Sequence, residues 1–171
     1  MTLRLLTLRR LTLRPLTPRS LLLPVLVAVL AGCSGGDDGA EQSKAAYVSQ
    51  AQAVCDTAAA EFAELETPTA PDAFAPFVAQ TLSIAETAQG ELAALTPPEL
   101  DAAELSTRVL DPFAELVEQG RDFAAEVEAA GSDQAALLPL LGQRPSAESI
   151  DLEFLRGYGL QSCADAIDDL G

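Results

Sequence analysis

Histidine, tryptophan and asparagine are absent from this 171-residue sequence, and lysine occurs once, at Lys44. Without histidine the chain cannot build a Ser-His-Asp or Cys-His catalytic site, a histidine-ligated zinc or haem site, or a Glu-x-x-His di-iron bundle. It also has no glycine-rich loop of the phosphate-binding kind. These absences exclude many enzyme classes, and we predict no catalytic residues, no metal and no cofactor.

Basic residues are scarce beyond the first 20 positions. Five of the ten precede residue 20, whereas the first acidic residue is Asp37. From Cys33 onward, five basic residues stand against 26 acidic ones, which gives a net charge of −21. Phosphate binding needs clustered Lys and Arg, so we expect no nucleic-acid partner. Anionic lipid would repel this region, so any membrane attachment must be apolar.

The first 32 residues have the order of a signal peptide. An arginine-rich stretch over residues 1–20 is followed by an apolar run over residues 21–31. As a helix this run spans about 16 Å, well short of a hydrocarbon core of about 30 Å. We therefore predict a cleaved signal peptide over residues 1–32 and no transmembrane span. The pair Arg9-Arg10 is a feature of twin-arginine export signals, but the residues flanking this pair favour general secretion.

The apolar run ends in Leu30-Ala31-Gly32-Cys33. This tetrapeptide resembles the lipobox of bacterial lipoproteins, in which an aliphatic residue and two small residues precede a cysteine. The resemblance implies that a peptidase cuts before Cys33 and that the Cys33 thiol carries a diacylglyceryl group. Two acyl chains anchor a protein stably, so the membrane is the expected partner and the extracytoplasmic face of the cell membrane the expected location. An ordinary secretory signal with an incidental cysteine is the alternative.

The mature chain divides into a tether and a helical domain. Residues 33–39 contain the lipidated cysteine and a stretch of Gly, Ser and Asp that cannot contribute to a core, so we predict a flexible tether. Residues 40–171 carry apolar residues at helical spacing, and no stretch alternates like a strand. A first helix is expected to stop before Pro68 and Pro71, and Asp72 to cap a second helix that has Pro76 in its first turn.

Thr96-Pro97-Pro98-Glu99 predicts the start of a third helix, with Thr96 as N-cap and Glu99 completing a capping box. Asp111-Pro112 interrupts its pattern, and we favour one kinked helix over two. Gly131 is expected to end it. Residues 134–142 are expected to form a short helix or an apolar loop.

Ser146 is expected to cap a last helix, which Gly157 and Gly159 break or end before the helical pattern resumes at Cys163. Long amphipathic helices joined by short, proline-rich turns predict an all-α fold. We expect an antiparallel four-helix bundle with a short extra helix or apolar loop, after a cleaved signal peptide.

Cys55 and Cys163 remain once Cys33 carries lipid. Export places them in an oxidising compartment, where an even pair usually forms a disulfide. Cys55 lies on the apolar stripe of the first helix and Cys163 in the last helix. A reactive thiol is the alternative, but it needs a basic neighbour, and Val54, Asp56, Ser162 and Ala164 supply none.

The mature chain also resembles small actinobacterial lipoproteins and secreted proteins of uncharacterised function. These often combine an early cysteine, a Pro-Pro turn and a late Tyr-Gly-Leu-x-x-Cys, which here are Cys55, Pro97-Pro98 and Tyr158 to Cys163. The resemblance implies the helical fold and the disulfide. It implies no activity, because that group has no assigned catalytic residues.

Two hypotheses follow for the helical domain. The favoured one is a non-catalytic domain that binds or scaffolds an unknown envelope protein. The alternative is a carrier of a small apolar ligand or lipid, which predicts a pocket of at least ~300 Å³. Leu137–Leu141 is a candidate docking loop or lid, or a plug over one end of the bundle. An enzyme would need buried paired carboxylates, whereas the acidic pairs are expected to be solvated; these are Glu61 with Glu64, Glu115 with Glu118, and Asp165 with Asp168.

Overall fold

A computed structural model describes residues 37–169, with side chains from Lys44 onward. Every regular element in this range is helical, so the predicted all-α class is confirmed. In chain order the elements are α1 (Asp37–Ala63), a 3-10 turn (Pro71–Ala73), α2 (Phe74–Ala94), α3 (Ala102–Leu105), a π-helical segment (Ser106–Leu110), α4 (Asp111–Ala130), α5 (Gln134–Leu140), α6 (Leu152–Tyr158) and α7 (Gln161–Asp168).

Helix α1 begins at Asp37, inside the segment that the sequence predicts as a tether, and ends at Ala63. This end lies ahead of Pro68 and Pro71, as predicted, because proline cannot continue a helix. Residues 134–142, expected as a short helix or a loop, contain α5.

The predicted third helix is continuous across Asp111-Pro112. Helix α3, the π-helical segment and α4 follow one another without a break. Pro112 has no N–H, so it cannot donate to the carbonyl of Arg108 four residues earlier. The N–H of Asp151 donates to that carbonyl instead, at 3.2 Å. A residue 43 positions away therefore satisfies the backbone acceptor that proline leaves open.

The start predicted for this helix at Thr96 is wrong, because helix α3 begins at Ala102. The ring of Pro98 forces Pro97 towards an extended conformation, so Pro97 cannot serve as the first residue of a helix. The chain instead makes a turn in which the N–H of Asp101 donates to the Pro98 carbonyl at 3.0 Å.

Two other predicted caps are also wrong. Asp72 lies within the 3-10 turn, and α2 has no side-chain cap. Ser146 accepts a hydrogen bond from the N–H of Glu148 in a turn ahead of α6. The cap of α6 is Asp151, whose carboxylate accepts from the N–H of Phe154 at 2.8 Å. Asp151 caps this helix because an aspartate placed three residues ahead of a free N–H can reach it.

Glycine breaks the last helical pattern into two short helices. Gly157 lies within α6, and Gly159 ends α6 in the left-handed conformation, with φ of 102°. The N–H of Leu160 donates to the Leu155 carbonyl at 2.8 Å, which closes the end of α6. Helix α7 then begins at Gln161, so α6 and α7 are separate helices joined by one tight turn.

Contacts between named residues give the directions of neighbouring helices. Leu82 of α2 lies against Gly120 of α4, and Val78 packs with Val127, so these two helices are antiparallel. Helix α7 runs parallel to α1. Val48 lies beside Gly159, Gln52 accepts a hydrogen bond from Ser162, and Cys55 bonds to Cys163.

The core of the described residues has two parts. The larger surrounds the disulfide, and the smaller consists of Val78, Val127 and Leu137, where α5 covers the start of α2 and the end of α4. Large apolar and aromatic members of the first part are Tyr47, Leu92, Leu105, Val109, Phe113, Val117, Ile150, Leu155, Tyr158 and Leu160.

Candidate functional site

Cys55 and Cys163 form a disulfide, with an S–S distance of 2.07 Å. Cys55 belongs to α1 and Cys163 to α7, and both are buried, at 6% and 4% exposure. The disulfide predicted from the sequence is therefore confirmed. Because both thiols are consumed, neither cysteine is available as a nucleophile.

A narrow apolar cavity lies beside this disulfide. Its volume is ≈ 40 Å³. Side chains from α1, α2, α4, α6 and α7 line it, among them Phe62, Leu92, Phe113 and Ile167. This volume is close to that of one water molecule in the liquid and far below the ~300 Å³ that small-ligand pockets reach.

An aromatic cluster lies where α1, α3 and α6 meet. The Tyr158 hydroxyl donates a hydrogen bond to Asp101 at 2.8 Å. Its ring packs edge-on against Tyr47, with 6.3 Å between ring centroids, and obliquely against Phe154, at 5.6 Å. The ammonium of Lys44 lies 3.9 Å from the Tyr158 ring centroid. One charged group over the face of the ring and another at its hydroxyl thus hold a buried tyrosine.

Neither tyrosine of this cluster is activated as a base or nucleophile. Burial raises the pKa of Tyr158 well above 10, and the hydrogen bond to Asp101 raises it further. Burial also raises the pKa of Tyr47. Both phenols therefore stay protonated at neutral pH, and Tyr158 acts as a hydrogen-bond donor.

Arg108 connects the third helix to α6. Its Nη2 and Nε donate to one oxygen of Asp151 at 2.7 and 3.1 Å, and its Nη1 contacts Glu104 at 2.6 Å. Its guanidinium carbon lies 4.4 Å from the Phe154 ring centroid. The pKa of Asp151 is lowered, first by the N–H of Phe154 and then by Arg108. All these groups stabilise a junction between helices, and none of them faces a cleft.

Sequence reasoning did not identify Asp101, Arg108 or Asp151 as important residues. One signal was present, because Asp151 precedes an apolar helical stretch and so has the position of an N-cap. Its pairing with Arg108 gave no signal, since it depends on how two distant segments pack.

The acidic pairs noted in the sequence lie on exposed helix faces. All of these are exposed: Glu61 on α1 and Glu64 just after it, Glu115 and Glu118 on α4, and Asp165 and Asp168 on α7. Among the residues with described side chains, no group of three or more Asp, Glu, Cys or His is placed to hold a metal ion. Exposed carboxylates on a helix surface serve chiefly to keep that surface solvated.

Helix α5 presents apolar side chains on both of its faces. Leu137 is buried against Val78 and Val127. The next residue, Leu138, is 58% exposed, and Leu141, which directly follows α5, is 49% exposed. An exposed apolar helix face on a domain with a filled core is typical of an interaction surface.

Cys33, the predicted lipidation site, lies outside the described residues. Within residues 37–169, no helix has both the length and the apolar character needed to cross a bilayer. Comparisons with protein-family models, curated proteins and solved structures found no match for this chain. No relative therefore supplies a function, and support for one must come from the core and the surface of the chain itself.

Proposed function

We propose that this protein is a lipoprotein, anchored at the extracytoplasmic face of the cell membrane, whose helical domain binds or scaffolds another envelope component without catalysing a reaction. The observation that carries the proposal is the contrast between a filled core and an exposed apolar helix. The cavity beside the disulfide holds only ≈ 40 Å³, whereas Leu138 of α5 and Leu141, which directly follows it, are open to solvent.

The anchor in this proposal is a diacylglyceryl group on Cys33. Its support is the sequence Leu30-Ala31-Gly32-Cys33 after an apolar run of eleven residues. The domain carries too much negative charge to adhere to anionic lipid, so the two acyl chains supply the attachment. The buried disulfide also supports export, because such bonds persist in oxidising compartments.

The proposed architecture is a bundle of four helical positions. Helix α1, helix α2 and the continuous α3–α4 helix fill three of them. The fourth, expected as a single helix in an antiparallel bundle, is filled by α6 and α7. The disulfide supports the placement of α7 beside α1, but α7 runs parallel to α1, whereas the fourth helix of an antiparallel bundle would run in the opposite direction.

A carrier of a small apolar ligand is the second candidate. The observation in its favour is that the cavity beside the disulfide is lined by apolar side chains from five helices. Binding an acyl chain there would require the helices to separate, because ≈ 40 Å³ is too small for one. The filled core therefore favours the scaffold.

Native mass spectrometry of the mature protein, purified from the membranes in which it is made, distinguishes the two functions. The scaffold predicts the mass of the lipidated chain with no further small molecule after detergent is removed. A bound lipid that stays at one copy per chain would overturn the scaffold and support the carrier.

The anchor is tested by Cys33→Ala. We expect this variant to leave the membrane fraction or to accumulate as an unprocessed precursor, since no thiol remains to accept lipid. Cys55→Ala is the matched control, because it removes a cysteine from the fold and leaves Cys33 available for processing. Normal maturation and membrane retention of the Cys33→Ala variant would contradict the lipoprotein assignment.

A further inference from the structure

The exposed face of α5 is a small apolar surface with a fixed backbone. Ala135, Leu138 and Leu141 succeed one another at intervals of three residues and are all exposed. An adjoining side of the helix is held by Leu137, which is 6% exposed and packs with Val78 and Val127. Asp133 fixes the start of the helix, because its carboxylate accepts a hydrogen bond from the N–H of Ala135 at 2.9 Å. We call Ala135, Leu138 and Leu141 the α5 face.

Acidic residues flank the α5 face. Glu126 and Glu128 are exposed on either side of Val127, which packs against the underside of α5. Asp133 is exposed at the first turn of α5. Asp72 is exposed two residues before Phe74, which packs against the same small cluster. Asp133 thus adjoins Ala135 directly, and the helices that hold α5 carry further exposed carboxylates close in sequence to the residues that pack beneath it.

Two basic residues lie on or just after α4 and α5. Arg121 is paired with Glu86 at 2.6 Å and with Glu118 at 2.5 Å, and Arg144 follows three residues after Leu141. A partner for this surface must bring its own positive charge, because acidic partners would be repelled.

We propose that the α5 face binds a basic amphipathic helix of another envelope protein, with apolar side chains on Leu138 and Leu141 and Lys or Arg side chains facing the surrounding carboxylates. This inference rests on the proposed scaffolding function and names the chemistry of its partner. Apolar side chains at helical spacing supply the affinity for the bound helix. The charges determine which helix binds and in which orientation.

A second copy of this chain and a lipid surface both fit the α5 face less well. Two copies would bring matching acidic surroundings together, each on a mature chain with a net charge of −21. An anionic bilayer would be repelled in the same way. The α5 face lies near the end of α4, where Val127 packs beneath it. Lys44 of α1 lies on Tyr158, which bonds to Asp101 just before α3. The two places are about 38 Å apart along the α3–α4 helix.

Site-specific photo-crosslinking in cells that make the full-length protein tests this proposal. A benzophenone amino acid replaces Ala135, which is exposed on the α5 face and adjoins Leu138. The crosslinked partner peptide is then sequenced by mass spectrometry. We expect a peptide in which apolar residues recur at intervals of three and four and Lys or Arg residues fill the positions between them.

Two pairs of variants show which residues make this contact. Leu138→Gln with Leu141→Gln should lower the crosslink yield from position 135 at least tenfold, whereas Leu100→Gln should leave it within twofold. Leu100 is the matched control, because it is an 87% exposed leucine outside α5. Glu126→Gln with Glu128→Gln should lower the yield severalfold, whereas Glu91→Gln with Glu99→Gln, exposed carboxylates elsewhere, should not.

Several results would overturn the proposal. These are a crosslink to a second copy of the chain, to residues 1–32 of the same chain, to lipid, or to a peptide without basic residues. The absence of a crosslink above the level obtained from position 100 would overturn it as well. Circular dichroism and thiol counting confirm that each variant keeps its helices and its disulfide, so a lost crosslink cannot be assigned to unfolding.

This result is independent of the test of the proposed function. A protein free of bound lipid in native mass spectrometry could still fail to crosslink from position 135, and then the scaffold would stand with another surface. A lipid found in the core would instead contradict the proposed scaffolding function, whatever crosslinks form at the α5 face.

Discussion

Tyr158 is held by four side chains from three parts of the chain. Lys44 and Tyr47 contact its ring from α1, Phe154 contacts it from α6, and Asp101, just before α3, accepts a hydrogen bond from its hydroxyl. Tyr158 thus connects α1 and α6 with the turn that precedes α3. Removal of its hydroxyl should weaken this junction while the ring packing remains.

Tyr158→Phe should lower the free energy of unfolding by about 1 kcal/mol, because it removes one hydrogen bond to a partly buried carboxylate. Urea denaturation at neutral pH, followed by circular dichroism, measures this change. Tyr47→Phe is the control, since the Tyr47 hydroxyl makes no hydrogen bond to the other described residues. An equal loss in both variants would mean that the Asp101 contact contributes nothing.

The same pair should differ at alkaline pH. Burial raises the pKa of Tyr158 in the folded chain, whereas an unfolded phenol ionises near pH 10. Above about pH 10 the folded state therefore binds more protons, and the free energy of unfolding falls as pH rises. The contribution is complete below pH 10 and lost above it. The slope between about pH 9 and pH 11 should be shallower in Tyr158→Phe than in the wild type.

At the scale of the helices, glycine has two different effects. Gly90 lies inside α2, where an added methyl group would meet open space, so this glycine only makes the helix less favourable. Gly159 has φ of 102° and forms the turn between α6 and α7, a conformation that other residues adopt only with strain.

Gly90→Ala should therefore raise the free energy of unfolding by about 0.5–1 kcal/mol, and Gly159→Ala should lower it by at least about 1 kcal/mol. Chemical denaturation of both variants measures the difference in sign. The pair provides its own control, because the same methyl group is added to a helix in one case and to a left-handed turn in the other. A gain in stability from both substitutions would show that the α6–α7 turn relaxes without cost.

The helices were predictable from the sequence, but most of their starts were not. Spacing of apolar residues identifies the helices because burial of one face repeats every 3.6 residues. Thr96 looked like a cap, yet the Pro97-Pro98 pair moves the helix start to Ala102. Asp151 caps α6 and also serves the carbonyl that Pro112 leaves free. That second role depends on tertiary packing, which no local pattern encodes.

The candidate site was predictable only in part for the same reason. The pairing of Cys55 with Cys163 was predictable from the number of cysteines together with the predicted export. By contrast, the exposure of Leu138 and the burial of Leu137 depend on where α5 packs, since a helix with leucine on both faces gives no sign of which face is covered.

At the scale of the whole molecule, the disulfide closes a loop of 108 residues. A closed loop of this length reduces the entropy of the unfolded chain by an amount worth about 4–5 kcal/mol in the chain-entropy model. This is a large share of the 5–15 kcal/mol by which domains are usually stable.

Cys55→Ala with Cys163→Ala should therefore lower the free energy of unfolding by about 4 kcal/mol. Guanidinium denaturation with and without a reductant measures it, and the reduced wild type should match the double variant. Two alanines, unlike a single replacement, leave no unpaired thiol. An unchanged midpoint would mean that packing of α1 against α7 carries the stability alone.

Charge is the other property of the whole molecule. From Cys33 onward the chain carries a net charge of −21, and its described ion pairs involve only a few arginines. Mutual repulsion of the remaining carboxylates destabilises the compact state, and salt screens it.

The melting temperature should therefore rise when ionic strength is raised from about 0.01 M to about 0.15 M. Thermal unfolding followed by circular dichroism measures the shift. Glu61→Gln with Glu64→Gln, which removes an exposed acidic pair, should reduce the salt effect. A melting temperature that is independent of salt would show that these carboxylates do not repel one another enough to matter.

The bond between Cys55 and Cys163 also sets how far the chain can be stretched. Along the backbone, the path from Asp37 to Asp168 could extend to roughly 450 Å when unfolded. Through the disulfide, the same two residues are at most about 85 Å apart. A chain tethered at its amino end would thus keep its carboxyl end close to the tether under load or during transient unfolding. The bond therefore limits the distance over which the protein could be pulled or captured, even when its helices have come apart.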